Sequence, residues 1–324
     1  MTEIGEKIEN QLRKAQYGIY NHSAVQICSW TKKSLRGEGI CYKQEFYGAD
    51  THSCMEFSPA ALVCENNCVF CWRPMEFMRT DSIQDADEPE TIVENLLGER
   101  YKLLSGFPGG NVDMTKFRES VDPTHFAISL SGEPAMYPKL PELILYLRSR
   151  KRTRTIFLVT NGQEPEMLRM LQKKDALPTQ LYISTNAPNP ALFSKINCPT
   201  KKDAWKRYKE SLTIASKLKT RRVMRMTMIK GMNMEGSLIP EYAKLIEIYM
   251  PHFIEVKAYM HLGFSQKRLK KSNMPYHEDI AEYSEKLAKA TGFEIINEKK
   301  DSRIVLLRNG KERIDPIIRS VKWE

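Results

Sequence analysis

Six short apolar runs, rich in β-branched and aromatic residues, recur after residue 56. They are FSPAALV (57–63), HFAISL (125–130), TIFLVT (155–160), QLYIST (180–185), RVMRMTMI (222–229) and FIEVKAY (253–259). Between them, apolar residues return at helical spacing. Ile92, Leu96, Leu97, Tyr101 and Leu104 share one face; Leu140, Leu143, Ile144 and Leu147 share a second. Trp205, Tyr208, Leu212, Ala215 and Leu218 form a third, and Tyr242, Leu245, Ile246 and Tyr249 a fourth. Strands alternating with helices specify parallel βαβ units, since parallel neighbours need a long crossover. Six units predict an α/β chain folded as a partial (β/α)6, TIM-like barrel. Two further runs, FEIIN (293–297) and RIVLL (303–307), read as C-terminal β additions. No low-complexity tract, long linker or repeat marks a second domain. The expected organisation is one compact unit. Residues 1–56 form an N-terminal cysteine-rich extension, 57–265 the barrel core, and 266–324 a basic rim loop with a helix and strand extension.

In such barrels the chemistry sits at the C-terminal ends of the strands. The first run is followed by cysteines and the second by Ser131, Gly132, Glu133 and Pro134. The third is followed by Asn161 and Gly162, the fourth by Thr185, Asn186 and Ala187, and the fifth by Lys230 to Asn233. His261, Gly263 and Ser265 follow the sixth. Polar residues therefore collect on one rim by topology alone. Gly132 lets backbone approach a ligand closely, and Glu133 can accept from an ammonium. Asn161, Ser184 and Asn186 either bond ribose hydroxyls or cap the helices that follow. Arg222 and Arg225 lie three apart on one strand, so at most one faces the lumen.

Six of the seven cysteines lie between Cys28 and Cys71. Cys28, Cys41 and Cys54 are each separated by twelve residues; Cys64, Cys68 and Cys71 form C-x3-C-x2-C. Nothing points to a secreted disulfide protein. The N-terminus MTEIGEKIENQLRKAQYG is charged and lacks the apolar segment of a signal peptide. Mean hydropathy is −0.48 and no run of 18 apolar residues exists, so a cytoplasmic chain with no membrane association is expected. Clustered cysteines then read as metal ligands. Structural zinc wants four ligands in close pairs, which neither group supplies, although a zinc site with spare thiols stays an alternative. Three thiolates on a 4Fe–4S cluster leave one iron open to a substrate. Cys198 stands alone and reads as a small buried apolar residue.

C-x3-C-x2-C ahead of a β/α chain resembles the radical S-adenosylmethionine superfamily. That resemblance implies that Cys64, Cys68 and Cys71 hold a 4Fe–4S cluster whose open iron binds S-adenosylmethionine. It also implies that Ser131, Gly132 and Glu133, with Asn161, Ser184 and Asn186, contact this cofactor. A closer match joins the two cysteine groups, CENNCVFCWR, SGEP and HLGFSQKRLKKSNMPYHEDI (261–280). Together they resemble the tRNA 4-demethylwyosine synthases, in their archaeal single-domain form. The resemblance implies condensation of N1-methylguanosine at position 37 of phenylalanine tRNA with pyruvate, the first tricyclic step of wyosine biosynthesis. It implies a second, auxiliary 4Fe–4S cluster on Cys28, Cys41 and Cys54. Pyruvate is either chelated by that cluster or held as a Schiff base by Lys43, which matches the family's lysine position.

Only 27 residues precede Cys28, too few for the flavodoxin-like domain of larger eukaryotic relatives. A separate ferredoxin or flavodoxin is therefore the expected electron donor, and a monomer the expected state. CWRPMEF departs from some relatives beyond Arg73. The net charge of +10 fits a polyanionic partner. Of two basic runs, RSRKRTR (148–154) closes a helix, where cations are favoured anyway. QKRLKK (266–271) borders the active-site mouth, flanked by Tyr259, His261, Phe264 and Tyr276, which either stack on bases or pack under the loop. Two alternatives stay open: a radical enzyme with an auxiliary cluster acting on a peptide, and a non-catalytic zinc RNA-binding protein.

Overall fold

In the computed structural model, residues 4–73 and 77–319 are described, and their ten strands form one open sheet. Helix α1 (Glu6–Lys14) leads into a hairpin of β1 (Tyr17–Tyr20) and β2 (Ser23–Gln26). Two short helices follow, α2 (Ser29–Leu35) and α3 (Tyr42–Tyr47), then β3 (Cys54–Ser58), which β2 flanks antiparallel. From β3 onward the sheet is parallel through β4 (His125–Ile128), β5 (Thr155–Thr160), β6 (Gln180–Ser184), β7 (Arg221–Met228) and β8 (Phe253–Ala258). Beyond β8 lie β10 (Ile304–Asn309) and then, at the outer edge, β9 (Phe293–Lys299), both joined antiparallel. The six parallel strands are the expected partial barrel, and β9 and β10 the expected C-terminal additions.

The crossover helices are α4 (Pro89–Leu104), α5 (Met114–Val121), α6 (Leu140–Ser149), α7 (Pro165–Lys173), α8 (Pro190–Asn197), α9 (Ala204–Ala215) and α10 (Ile239–Tyr249); α11 (His277–Thr291) follows β8. Five of them carry proline in the first turn, where a missing N–H costs nothing. No helix of the described residues is long and apolar enough to cross a membrane.

The first strand is placed differently from its apolar run. Pro59 cannot donate to a ladder, so pairing stops at Ser58, and residues 59–63 form a loop with Leu62 at φ +62°. Cys54 thereby sits at the start of the strand rather than in an extension before it. The hairpin β1–β2 carries no strong apolar alternation in YGIY and SAVQ, and tertiary packing makes it. Buried His22 fixes its turn, with one ring nitrogen on the Pro59 carbonyl at 2.7 Å and the other accepting from the Asp87 N–H at 3.0 Å.

Strand alternation divides the core in two. Leu158, Ile183, Met224, Met226, Ile254 and Val256 face the helices and form the larger cluster. Phe157, Tyr182, Val223 and Phe253 face the lumen, with Ile304 and Leu306 of β10. Tyr42, Phe46 and Tyr47 of α3 close that lumen from one end. Each fully buried aromatic or aliphatic side chain there contributes roughly 1.5–3 kcal/mol, which explains why so short a helix stays docked.

Candidate active site

The C-terminal cysteine loop is held by backbone hydrogen bonds on both sides. The Cys64 N–H donates to Arg79 O at 2.8 Å, Asn67 N–H to Cys198 O at 3.1 Å, and Val69 N–H to Ile196 O at 2.9 Å. Cys198 is therefore no remote bystander: it terminates α8 in the left-handed region, against the cysteine loop, while its own thiol turns to the Lys195 carbonyl. The rim loop after β8 grips the other side. Arg268 donates to the Val69 and Cys71 carbonyls, and Phe264 N–H to Trp72 O at 3.1 Å. Arg73 is buried against Tyr17; the segment 74–76 that departs from some relatives lies outside the described residues.

Burial pushes the Cys64 thiol well above its usual range, and Glu133 adds to the effect; burial, then Cys71 and Cys198, does the same to Cys68. Such thiols stay protonated until a cation replaces the proton. No disulfide joins any of the seven cysteines, and all are half-buried. Among the described residues, no three His, Cys, Asp or Glu side chains converge as a single metal ion would require. A cubane asks for a wider cradle, and the surroundings fit one. Gly132 has φ +70°, and a Cβ there would lie 1.9 Å from Ala60 O. The Ser131 hydroxyl and the Asn186 Oδ1 are buried with no hydrogen-bond partner, as groups waiting for a ligand are.

The predicted rim residues behave differently from one another. Glu133 already accepts from the Ala135 N–H at 3.0 Å and the Asn161 N–H at 2.8 Å, so it ties two loops together; burial raises its carboxyl to about 7. Asn161 directs its Nδ2 at Cys64 Sγ, 3.6 Å away, and accepts from Gln163 N–H at 2.8 Å. Ser184 is half-buried at the end of β6. Helix α8 is capped by Asn189, so Asn186 is not its cap. Residues that sequence reasoning missed complete the pocket. Buried Glu65 is raised to about 8 by desolvation and by Glu164 and Glu133, while against its own burial Glu164 is held low by the hydrogen bond with Glu65, then by Lys201 and Arg207. The only signal was adjacency, in Cys64–Glu65.

The first cysteine group gathers at the other end of the lumen. Cys28 caps α2, accepting from Thr31 N–H at 3.4 Å; Cys41 precedes α3, its N–H on Thr51 Oγ1 at 2.9 Å; Cys54 opens β3. Burial raises Cys41 to about 11, with Cys28 adding to it, and Cys54 to about 12, with Lys43 opposing. Lys43 lies over Phe157 and Tyr182, its Nζ 5.0 and 5.7 Å from the ring centroids. Phe157 lies within β5 and Asn161 just beyond its C-terminal end, so Lys43 stands below the rim that holds the Cys64 loop.

Arg225 is the arginine that faces inward. It pairs with buried Glu255 at 2.8 Å and donates to Tyr42 OH at 2.5 Å. Arg222 points outward to the Met250 and Leu218 carbonyls. Lys257, not singled out in the sequence, stands beside Tyr42 and is lowered to about 8 by burial and by Arg225.

The two basic runs separate. Run 148–154 precedes β5, on the far rim, and Arg150, Arg152 and Arg154 pair with Glu94, Asp122 and Asp50. Lys267, Lys270 and Lys271 are exposed on the near rim, close to exposed Trp72 and Tyr276. Tyr259 is buried and bonded to Ser265, so it packs under the loop.

A radical SAM superfamily model matches residues 60–236, and one described as wyosine base formation matches residues 248–309. The S-adenosyl-L-methionine-dependent tRNA 4-demethylwyosine synthase of Pyrococcus abyssi is 45% identical over 96% of this chain and 90% of its own. That of Methanocaldococcus jannaschii is 38% identical over 97% of this chain and 99% of its own. The solved structure of TYW1 with a lysine–pyruvate adduct bound has a TM-score of 0.87 at 35% identity, covering 97% of this chain and 99% of that one.

Proposed function

Since the chain belongs to the tRNA 4-demethylwyosine synthase family of radical S-adenosylmethionine enzymes, we propose that it condenses N1-methylguanosine-37 of phenylalanine tRNA with pyruvate. The observation that carries this reading is the lumen itself, with one thiol triad at the rim, another at the base and Lys43 between them. In this reading Cys64, Cys68 and Cys71 hold the 4Fe–4S cluster, and Cys28, Cys41 and Cys54 an auxiliary one. When bound, the rim cluster supplies the electron that cleaves S-adenosylmethionine to a 5′-deoxyadenosyl radical.

The chain's own residues bind and orient. Gly132 lets the rim turn pack directly on the Ala60 and Val63 backbone beside Cys64, which positions the turn for the cofactor, and the unpartnered Ser131 and Asn186 groups receive its polar atoms. Asn161 steadies the Cys64 sulfur and is the third contact, with Ser184 the fourth. Lys43 attacks the keto carbon of pyruvate through its amine and releases water as a Schiff base. Support comes from its place in the lumen against Phe157 and Tyr182, beside the first cysteine group, and from the relative whose structure carries a lysine–pyruvate adduct. Lys267, Lys270 and Lys271 take phosphates of the RNA, and Trp72 and Tyr276 offer stacking faces. The enzyme acts as a cytoplasmic monomer with a separate ferredoxin or flavodoxin as donor. Residues 1–56, 57–265 and 266–324 serve as auxiliary-cluster extension, barrel and RNA-facing extension.

Nucleoside mass analysis tests the reaction. Methylated phenylalanine tRNA, pyruvate, S-adenosylmethionine and dithionite are expected to yield the tricyclic base; unchanged N1-methylguanosine refutes the substrate. Borohydride trapping with pyruvate tests Lys43, and full activity in Lys43→Ala without an adduct removes it from the reaction.

A further inference from the structure

Among the described residues, Arg100 of α4 is the largest side chain to be fully buried. Its Nε donates to the Ser120 carbonyl at 3.2 Å and its Nη2 to the His52 carbonyl at 3.4 Å, both neutral acceptors. Its Nη1 is buried without a hydrogen-bond partner. Burial pushes the guanidinium down to about 10, still far above neutrality, so the group remains charged. The acidic groups that act on it are Cys54 and Cys28, not carboxylates. A buried cation without a counter-ion is strongly disfavoured. Cysteines that keep their protons offer none. Metal binding deprotonates them. A cubane with three thiolates then carries a net charge of about −1, and about −2 when reduced.

We propose that Arg100 is the counter-charge of an anionic metal centre held by Cys28, Cys41 and Cys54, a positioning residue through which this part of the fold and the centre stabilise each other. The proposal rests on the auxiliary-cluster reading above. It explains why a guanidinium is kept in a dry site with only two carbonyls, and it gives α4 a role that the rim chemistry does not use. Its His52 contact lies two residues before Cys54, so the same side chain orders the turn that carries a ligand.

The test uses a Cys64→Ala, Cys68→Ala, Cys71→Ala background, in which any remaining iron belongs to the first triad. Arg100, Arg100→Lys and Arg100→Gln are compared in two measurements: the rise in thermal midpoint when iron and sulfide are loaded, and the reduction potential of the loaded centre. With Arg100, loading raises the midpoint. In Arg100→Gln that rise falls to less than half and the potential becomes more negative, while Arg100→Lys keeps most of both. Comparing rises rather than midpoints removes any loss of packing common to both forms. Equal rises and an unchanged potential in Arg100→Gln overturn the proposal and leave Arg100 a packing residue. Should the Arg100 background bind no iron at all, the auxiliary centre itself is refuted, and the role of Arg100 with it.

Discussion

Substituting Gly132 by alanine tests whether the rim turn is a cradle or an ordinary bend. Two costs add. The residue sits at φ +70°, where a non-glycine residue loses about 1–2 kcal/mol. The new Cβ would also lie 1.9 Å from Ala60 O and 2.6 Å from Val63 O, both backbone atoms that no rotamer change can move. Opening that gap shifts the loop by about 1 Å and costs a further ~1–3 kcal/mol, as overpacking does. The total is about 2–5 kcal/mol. The shift also falls on Val63, whose carbonyl accepts from Glu133 N–H at 2.7 Å and whose neighbour is Cys64.

Gly292 is the matched control. It has φ +73° but nothing within 4 Å of a Cβ, so alanine there incurs the strain alone, about 1–2 kcal/mol. In a chain of this length each kcal/mol moves the thermal midpoint by roughly 2 °C. Gly292→Ala is expected to lose about 2–4 °C with its iron intact. Gly132→Ala is expected to lose about 4–10 °C and a large share of the iron bound on anaerobic reconstitution. Equal melts for the two variants, with full iron in both, would show that the close approach at Gly132 is not a constraint and would refute the cradle.

Removing Glu255 from the lumen leaves Arg225 buried without its carboxylate; Glu255→Leu is expected to cost about 3–5 kcal/mol in a denaturant melt. Burial, then Arg222 and Arg221, lower His252 to about 4, so the unfolded chain binds a proton that the folded one does not between pH 6.5 and 4. Stability should therefore fall as pH drops through that window, by at most about 3 kcal/mol, and His252→Gln should flatten the dependence measured by thermal melts. Replacing Lys267, Lys270 and Lys271 by alanine should lower the slope of log affinity for tRNA against log salt by about 1 each, measured by filter binding, whereas Arg152→Ala on the far rim should leave it unchanged. Replacing Cys64, Cys68 and Cys71 together should halve the bound iron and abolish cleavage of S-adenosylmethionine.

Much of the architecture was legible because the governing patterns are local. Apolar runs at 125–130, 155–160 and 253–259 became strands within a residue or two, and the expected faces of α6, α9 and α10 are the buried ones; on α4 Ile92, Leu96 and Leu104 are buried as expected, but Tyr101 is exposed. Reading failed where the deciding contact was distant. FSPAALV has the composition of a strand, yet Pro59 ends the ladder and the strand starts at Cys54 instead. YGIY and SAVQ carry no strand pattern of their own, and packing against β3 and α4 makes them a hairpin. Cys198 reads as a solitary residue, and only the docking of α8 brings it against the cysteine loop.

From the amino-acid order alone came the parallel α/β class, the grouping of cysteines into two triads plus one, and the polar residues on a single rim. Each follows from neighbours within a few residues, or from the rule that strand ends of parallel units point one way. Tertiary structure decided that α3 plugs the lumen, that Arg225 rather than Arg222 faces it, and that Lys43 lies between aromatic rings. It also decided that Arg100 is buried with only the Ser120 and His52 carbonyls as partners. Those outcomes rest on side chains far apart in the chain, such as Tyr47 with Glu255, separated by 208 positions, and Tyr42 with Arg225, separated by 183. No local propensity encodes such pairs: burial in the shared lumen makes each polar group find a partner, and only the closed fold determines which partner is in reach.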